Sequence, residues 1–298
     1  MGFPLRYIEP IYRPPSEAHS LILPLTDGCS WNRCAFCEMY TAPQKRFRTR
    51  DAAETLAGIQ ALGAQENAAD IRRIFLADGD ALTLSTRRLL EVLLAIRARL
   101  PAVRRVSCYG LPRNVRNKSV VELQELAAAG LSLVYVGAES GDDTVLARIN
   151  KGETFASTRE ALEKLGAAGI RRSVMILNGL GGEAMSDAHA QHSAELMNAV
   201  QPEYLAMLVL SFPLGEARFR AAFPEWTPLS IPGLLGEMAQ FIERLELKRT
   251  VFRSDHASNW LSLRGNLPED KAKLLNQIQS ALAHPENAPL RPAWARGL

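Results

Sequence analysis

The chain has 298 residues, 47% of them hydrophobic and 22% charged, a composition ordinary for a soluble globular protein. The length suits one barrel domain or two smaller ones, and a net charge of +3 is too mild to argue by itself for nucleic acid. No apolar run is long enough for a membrane-spanning helix. Met1–Ser20, with Pro4, Pro10, Pro14 and Pro15, lacks the apolar stretch of a signal peptide. With few cysteines and no targeting signal, a reducing cytoplasm is the expected compartment.

Residues 1–20 read as an N-terminal extension. The apolar run Leu21–Leu25 is a strand that leads into a cysteine-rich loop. Asp51–Ala64 reads as a helix, and Arg73–Ala77 as a strand ending at Asp78-Gly79-Asp80. Ser85–Leu100 is an amphipathic helix with Ser85 as N-cap and Pro101 just past its end. Val103–Tyr109 is a strand closed by Gly110 and Pro112, and Ser119–Ala129 is a helix ended by Gly130. Leu133–Gly137 is a strand. Asp142–Ile149 and Ser157–Ala168 are helical, with Gly169 as terminator. Ser173–Leu177 is a strand that opens into the loop Asn178–Gly182. Ser186–Val200 is a helix, Tyr204–Leu210 a strand, and Pro228–Leu247 holds another helix.

Six strand–helix units in a row predict parallel strands with right-handed crossovers. The strands are nearly continuous apolar runs, as burial on both faces requires. The fold class is therefore α/β, either an open doubly wound sheet or a partial (β/α)6 TIM-type barrel. It would occupy residues 21–211, with a C-terminal helical and loop extension over 212–298. In either arrangement ligands bind at the C-terminal ends of the strands. The cysteine loop, Asp78–Asp80, Tyr109–Asn114, Glu139–Gly141, Asn178–Glu183 and Ser211 all follow strands and so share one rim.

Three of the four cysteines, Cys29, Cys34 and Cys37, fall within nine residues. Three thiolates on one loop can hold three irons of a cubane cluster and leave the fourth open to chemistry; an electron-transfer cluster takes four cysteines. A closed zinc site wants four ligands in paired knuckles. Here there is one knuckle, Cys34-x-x-Cys37, and the first histidine after it is His189. An odd local count argues against a disulfide framework. Zinc and redox thiols stay open as alternatives. Cys108, alone on a strand, reads as a small core residue rather than a hydrogen donor or fourth thiolate facing the barrel interior.

The cysteine loop after the first of six β/α units resembles the radical S-adenosylmethionine (SAM) superfamily. The usual spacing there is Cys-x3-Cys-x2-Cys. Ser30, Trp31, Asn32 and Arg33 make it Cys-x4-Cys-x2-Cys here, a variant loop. Phe36 fits the family's aromatic residue before the last cysteine. Gly137-Ala-Glu-Ser-Gly141 and Ile149-Asn-Lys-Gly152 resemble the Elongator-type, tRNA-methylthiolating and oxygen-independent coproporphyrinogen oxidase radical domains. The resemblance implies the partial TIM-type barrel and a [4Fe–4S] cluster on Cys29, Cys34 and Cys37. It implies reductive cleavage of SAM to a 5′-deoxyadenosyl radical that abstracts hydrogen from a substrate. It also implies a low-potential electron donor such as flavodoxin or ferredoxin.

Residue roles follow from the same resemblance. Gly79 and Asp80 match the segment that receives the SAM ammonium, although the family often has Gly-Gly-Glu where this chain has Asp78-Gly-Asp80. Phe36 is a further SAM contact. Glu139 and Ser140 match a contact to the ribose or methionine portion, Arg148 or Lys151 one to the carboxylate, and Gly179, Gly181 and Gly182 the segment near adenine. Without the resemblance these residues read as a capped turn, a polar strand end, a solvated helix face and a glycine turn.

Phe252–Trp260 gathers Arg253, Asp255, His256, Ser258 and Asn259, which suits either a substrate-contacting lid or an ordinary hydrogen-bonded loop. His256 beside Asp255 suits an oriented acid–base pair or a surface histidine. Asp270–Ala283 is a closing helix, and the proline-bearing tail from His284 reads as extended. No second cysteine cluster suggests an auxiliary iron–sulfur centre, and no cobalamin-sized domain is expected; the modest charge and the missing RNA-binding module favour a small-molecule substrate over RNA. Arg46, Arg48 and Arg50 are the first candidates for phosphate contacts. The alternative to an enzyme is an iron–sulfur or zinc sensor or partner module.

Overall fold

The computed structural model describes residues 5–297; the start of the expected N-terminal extension, Pro4 included, lies outside them. The chain runs through β1 (Leu21–Pro24), β2 (Thr26–Asp27), β3 (Arg48–Thr49), α1 (Ala52–Gly63), β4 (Arg73–Ala77) and α2 (Thr86–Arg99). It continues with β5 (Arg105–Tyr109), α3 (Pro112–Arg116), α4 (Val120–Ala129), β6 (Leu131–Glu139), α5 (Asp143–Arg148) and α6 (Phe155–Ala167). Then come β7 (Arg171–Asn178), α7 (Gly182–Val200), β8 (Tyr204–Val209) and α8 (Ala217–Ala222). Last are α9 (Ile231–Arg244), β9 (Thr250–Ser254), β10 (Leu263–Leu267) and α10 (Lys271–Ala283).

The main sheet has the strand order β1-β4-β5-β6-β7-β8-β9-β10, and β1 and β10 do not pair. This is the α/β architecture of a partial TIM-type barrel that does not close. β2 and β3 form a separate antiparallel pair.

Two compact units partition the chain. The first is Met1–Asn32, Cys37–Val136 and Glu163–Arg172. In it β1, β4, β5 and β6 lie side by side and parallel, with Leu23 opposite Leu76 and Leu76 opposite Cys108. Leu23, Phe75, Val106 and Val134 are buried in its core, and Cys108 is wholly buried among them. The second unit is Arg33–Phe36, Gly137–Leu162 and Ser173–Leu298. There β7, β8 and β9 are parallel and β10 returns antiparallel to β9. Phe241, Phe252, Ile176 and Met207 are buried in its core. A second apolar cluster in this unit joins Ala35, Leu146, Ile149, Leu180, Phe219, Phe223 and Trp226.

Local chemistry explains where the helices begin. Asp51, Ser85 and Ser119 each accept a hydrogen bond from the amide three residues on, at the starts of α1, α2 and α4. Ser119 and Glu122 close a reciprocal capping box, and Gly130, with φ of 121°, ends α4 in a conformation that side chains disfavour. Ser119→Ala removes one arm of that box and is expected to cost about 1 kcal/mol. Denaturant unfolding checks this, and an unchanged midpoint contradicts it.

The structure departs from the sequence reading mainly after β8. Thr250–Ser254 is a seventh parallel strand, paired with β8, and Leu263–Leu267 an eighth strand. The tail is not simply extended, since Ala293–Ala295 forms a 3-10 turn. No helix among the described residues is long and apolar enough to cross a membrane.

Candidate active site

In the first unit the cysteine loop leaves β2 and is tied to the turn after β4. The Gly79 amide donates to Gly28 O at 3.1 Å, and the Asp78 amide to Thr26 Oγ1 at 3.2 Å. Lys45, almost wholly buried, pairs with Asp78 at 2.6 Å. Gly28 has φ of 71°, and a Cβ there would stand 2.1 Å from Lys45 O, so only glycine fits this turn. Asn32 Nδ2 donates to Tyr40 O at 2.8 Å and closes the loop around Cys37.

Asp80 is the centre of this half. Ser30 Oγ and Asn114 Nδ2 both donate to its Oδ2, and Asn114 Nδ2 also reaches Ser30 Oγ at 3.2 Å. Oδ1 is buried and takes no well-formed hydrogen bond among the described residues. Burial pushes the Asp80 carboxyl up to about 6, against the opposing pull of Ser30, the Leu111 amide, Asn114 and Lys118. Burial also raises Asp78, opposed chiefly by Lys45. The Gly79 position is tight, since a Cβ would stand 2.8 Å from the Tyr40 ring. The Arg113 guanidinium lies 3.9 Å over the Trp31 ring on the loop.

In the second unit the stretch Arg33–Phe36 is fastened to the Ile149–Lys151 phrase. The Ala35 amide donates to Ile149 O at 2.8 Å, and Asn150 Nδ2 donates to Arg33 O at 3.2 Å. Lys151 Nζ pairs with Glu139 Oε1 at 3.0 Å and sits 5.9 Å from the Phe36 ring centre. Glu139 has φ of 67°, a left-handed conformation rare for a residue with a side chain. Its carboxylate folds back so far that a Cβ on Gly137 would stand 2.0 Å from Oε1.

Cys29, Cys34 and Cys37 form no disulfide and are partly exposed. Cys29 and Cys37 belong to the first unit with Gly79 and Asp80; Cys34 belongs to the second with Phe36, Glu139, Ser140 and Lys151. Ser140 is fully buried. Its hydroxyl lies 2.7 Å from His189 Nδ1 and accepts the Asp142 amide at 2.9 Å. Arg148 is half-exposed and pairs with Glu225 at 2.8 Å. Gly179 is held from both sides, by Glu237 Oε1 on its amide at 2.6 Å and by Trp226 Nε1 on its carbonyl at 3.2 Å. Arg48 and Arg50 both pair with the buried Asp27 at 2.7 Å, so their charge is spent on β2. Burial pushes the Cys108 thiol up, which suits a core residue.

Lys45, Ser30 and Asn114 were not singled out from the sequence. Asn114 lies in the stretch after β5 that was placed on the rim, but nothing local marks it as a partner of Asp80. No group of three or more His, Cys, Asp or Glu side chains among the described residues surrounds a single ion position. A cubane cluster asks for no such group, because each thiolate meets a different iron.

The family model described as the radical SAM superfamily matches residues 23–193, more than half of the chain. No curated protein matches the sequence. Among solved structures, the chain is similar to the radical SAM methyltransferase TsrM from Kitasatospora setae, with cobalamin and a [4Fe–4S] cluster bound. Identity is 22% and the TM-score 0.52, over 64% of this chain and 36% of that one. It is similar to coproporphyrinogen III oxidase HemN from Escherichia coli at 13% identity and a TM-score of 0.56, over 75% of this chain and 51% of that one. It is also similar to the cobalamin-dependent enzyme OxsB, with aqua-cobalamin and SAM bound, at 16% identity and a TM-score of 0.51, over 75% of this chain and 31% of that one. These likenesses show the fold, and the chain spans between about a third and a half of each relative's length. Superfamily members are enzymes that use a [4Fe–4S] cluster and SAM. The match over residues 23–193 makes this chain a member of the radical SAM superfamily.

Proposed function

We propose that this chain is a radical SAM enzyme in which Cys29, Cys34 and Cys37 hold the [4Fe–4S] cluster and Phe36, Gly79, Asp80, Glu139 and Lys151 hold SAM. The observation that carries this reading is the tie between the cysteine loop and Asp80. Ser30, next to Cys29, donates to Asp80, while Asp80 Oδ1 is left buried without a well-formed partner. An unsatisfied buried acceptor costs about 1–3 kcal/mol, which a ligand donor such as the SAM ammonium would recover. The donor set therefore fits the group. When bound and reduced, the cluster and SAM supply a 5′-deoxyadenosyl radical that takes a hydrogen atom from the substrate.

Other residues shape the ligand's surroundings. Lys151 offers a buried cation for the SAM carboxylate, and Glu139 offers acceptors for its hydroxyls. Ser140 acts through the turn, since its oxygen is already engaged by His189 and the Asp142 amide. The substrate is read as a small molecule, and the electron donor as a low-potential flavodoxin or ferredoxin.

Gly137→Ala tests the Glu139 placement. The new methyl would displace the Glu139 carboxylate from Lys151, and SAM affinity of the reconstituted protein should fall at least about tenfold by equilibrium dialysis. Unchanged affinity contradicts the placement. The reading as a whole is tested by electron paramagnetic resonance of the reduced, reconstituted cluster. SAM should shift the spectrum; a cluster indifferent to saturating SAM sinks the proposal.

A further inference from the structure

β9 runs parallel to β8, with Tyr204, Leu205 and Ala206 opposite Val251, Phe252 and Arg253, and β8 runs parallel to β7. The loop after β9 therefore leaves the same edge of the sheet as the Asn178–Gly182 loop after β7. Asn259 seats it there. Fully buried, it accepts the Val209 amide on Oδ1 and donates from Nδ2 to Met207 O, both at 2.8 Å. Its carboxamide takes the place of a neighbouring strand beyond the end of β9.

The rest of the loop is held from the tail. Arg291 Nη1 donates to His256 O at 2.6 Å and to Asn259 O at 2.9 Å. Arg296 donates twice to Ser258 O, at 2.9 and 2.7 Å. The Gly297 and Arg291 amides donate to Ala257 O at 3.4 Å and Trp260 O at 2.7 Å. The Arg296 guanidinium also lies 3.9 Å over the Trp260 ring. Five consecutive carbonyls, from His256 to Trp260, are thus bound by one short segment.

That fixing decides the state of His256. The Ser258 amide donates to His256 Nδ1 at 3.1 Å, and an amide N–H can only donate. Nδ1 is therefore the acceptor, and the neutral ring carries its proton on Nε2. Burial and Arg291 lower the pKa of the ring, against Asp255. Asp255 itself pairs with Arg264 at 2.6 Å. Nε2 has no hydrogen-bond partner among the described residues. The Arg291 guanidinium, bonded to His256 O and close enough to act on the ring, favours an anionic acceptor there.

We propose that the tail Arg291–Gly297 is a clamp that fixes the loop after β9, so that His256 presents Nε2–H as a standing donor to a carboxylate oxygen of the substrate. The proposal rests on the reading of this rim as the reaction site. Its test is read on the imidazole itself, independent of cluster loading, so the two readings fail separately.

The experiment is NMR of the full-length protein labelled with 15N-histidine, with sodium acetate as the carboxylate probe. His256 should show the Nε2-protonated form, and its Nε2 resonance should move saturably with acetate. In Arg291→Ala/Arg296→Ala the Ser258 amide should exchange at least about tenfold faster and the acetate response should vanish. His256→Asn keeps an acceptor near the Nδ1 position and should retain slow Ser258 exchange. If the double variant does not fold, Arg296→Lys, which keeps the charge but loses the forked contact, reads the same exchange. An Nδ1-protonated ring, no saturable shift up to about 0.1 M acetate, or unchanged exchange in the clamp variants overturns the proposal.

Discussion

Cys34→Ala should abolish cluster assembly and lower 5′-deoxyadenosine formation by at least about a thousandfold, about 4 kcal/mol of barrier. Cys29→Ala and Cys37→Ala should behave alike, because losing any one of three thiolates leaves a second iron of the cubane without a protein ligand. None of the three thiols is buried, so the metal-free fold should change by no more than about 0.5 kcal/mol. Cys108→Ala gives the opposite pattern. That side chain is wholly buried on β5, so its loss should cost about 1 kcal/mol of stability and leave iron content intact. Iron and sulfide analysis beside denaturant unfolding separates the two classes. A Cys108 variant that loses iron, or a Cys34 variant that keeps it, contradicts the assignment.

Asp80→Asn should make the stability of the metal-free protein less sensitive to pH. The folded-state pKa of Asp80 is raised from 3.8 to about 6, with burial as the main cause. The folded chain therefore holds a proton over a window where the unfolded chain has released it. The resulting stabilisation is fully present below about pH 4 and is lost as pH rises through about 6, a change of about 3 kcal/mol. Asparagine does not titrate. Relative to wild type, the variant should gain about 3 kcal/mol between about pH 3 and pH 7, whatever its fixed packing cost. SAM should bind it at least about tenfold more weakly, since the carboxylate charge that faces the ammonium is gone and only a neutral amide acceptor remains. Parallel pH slopes for the two proteins contradict the buried-carboxylate account. Diverging slopes would make the native Asp80 an example of a site residue that costs stability at neutral pH.

Much of the fold was legible because its signals are local. The cap Ser85 and the terminator Gly130 sit where the sequence placed them, and Asp51 and Ser119, read as the first residues of their helices, are the caps just ahead of them, since capping needs only residues three or four apart. β9 was missed for the opposite reason. Thr250–Ser254 alternates buried and more exposed positions, and its partner β8 ends about forty residues earlier, across α8 and α9. The sequence offered the candidate residues as loops after strands, but the bonds within each unit were not legible. Nothing near Asn114 or Ser30 announces Asp80 as their common acceptor, and nothing near Gly137 announces the folded-back Glu139. The dense polar stretch around His256 was noticed, but its fastening by Arg291 and Arg296 depends on a tail that arrives only after α10.

The most direct measurement is 5′-deoxyadenosine formed from SAM by the anaerobically reconstituted, chemically reduced protein. The account predicts product that depends on reductant and disappears in the Cys29→Ala/Cys34→Ala/Cys37→Ala variant. A fully loaded, reducible cluster that yields no product and binds no SAM would contradict it.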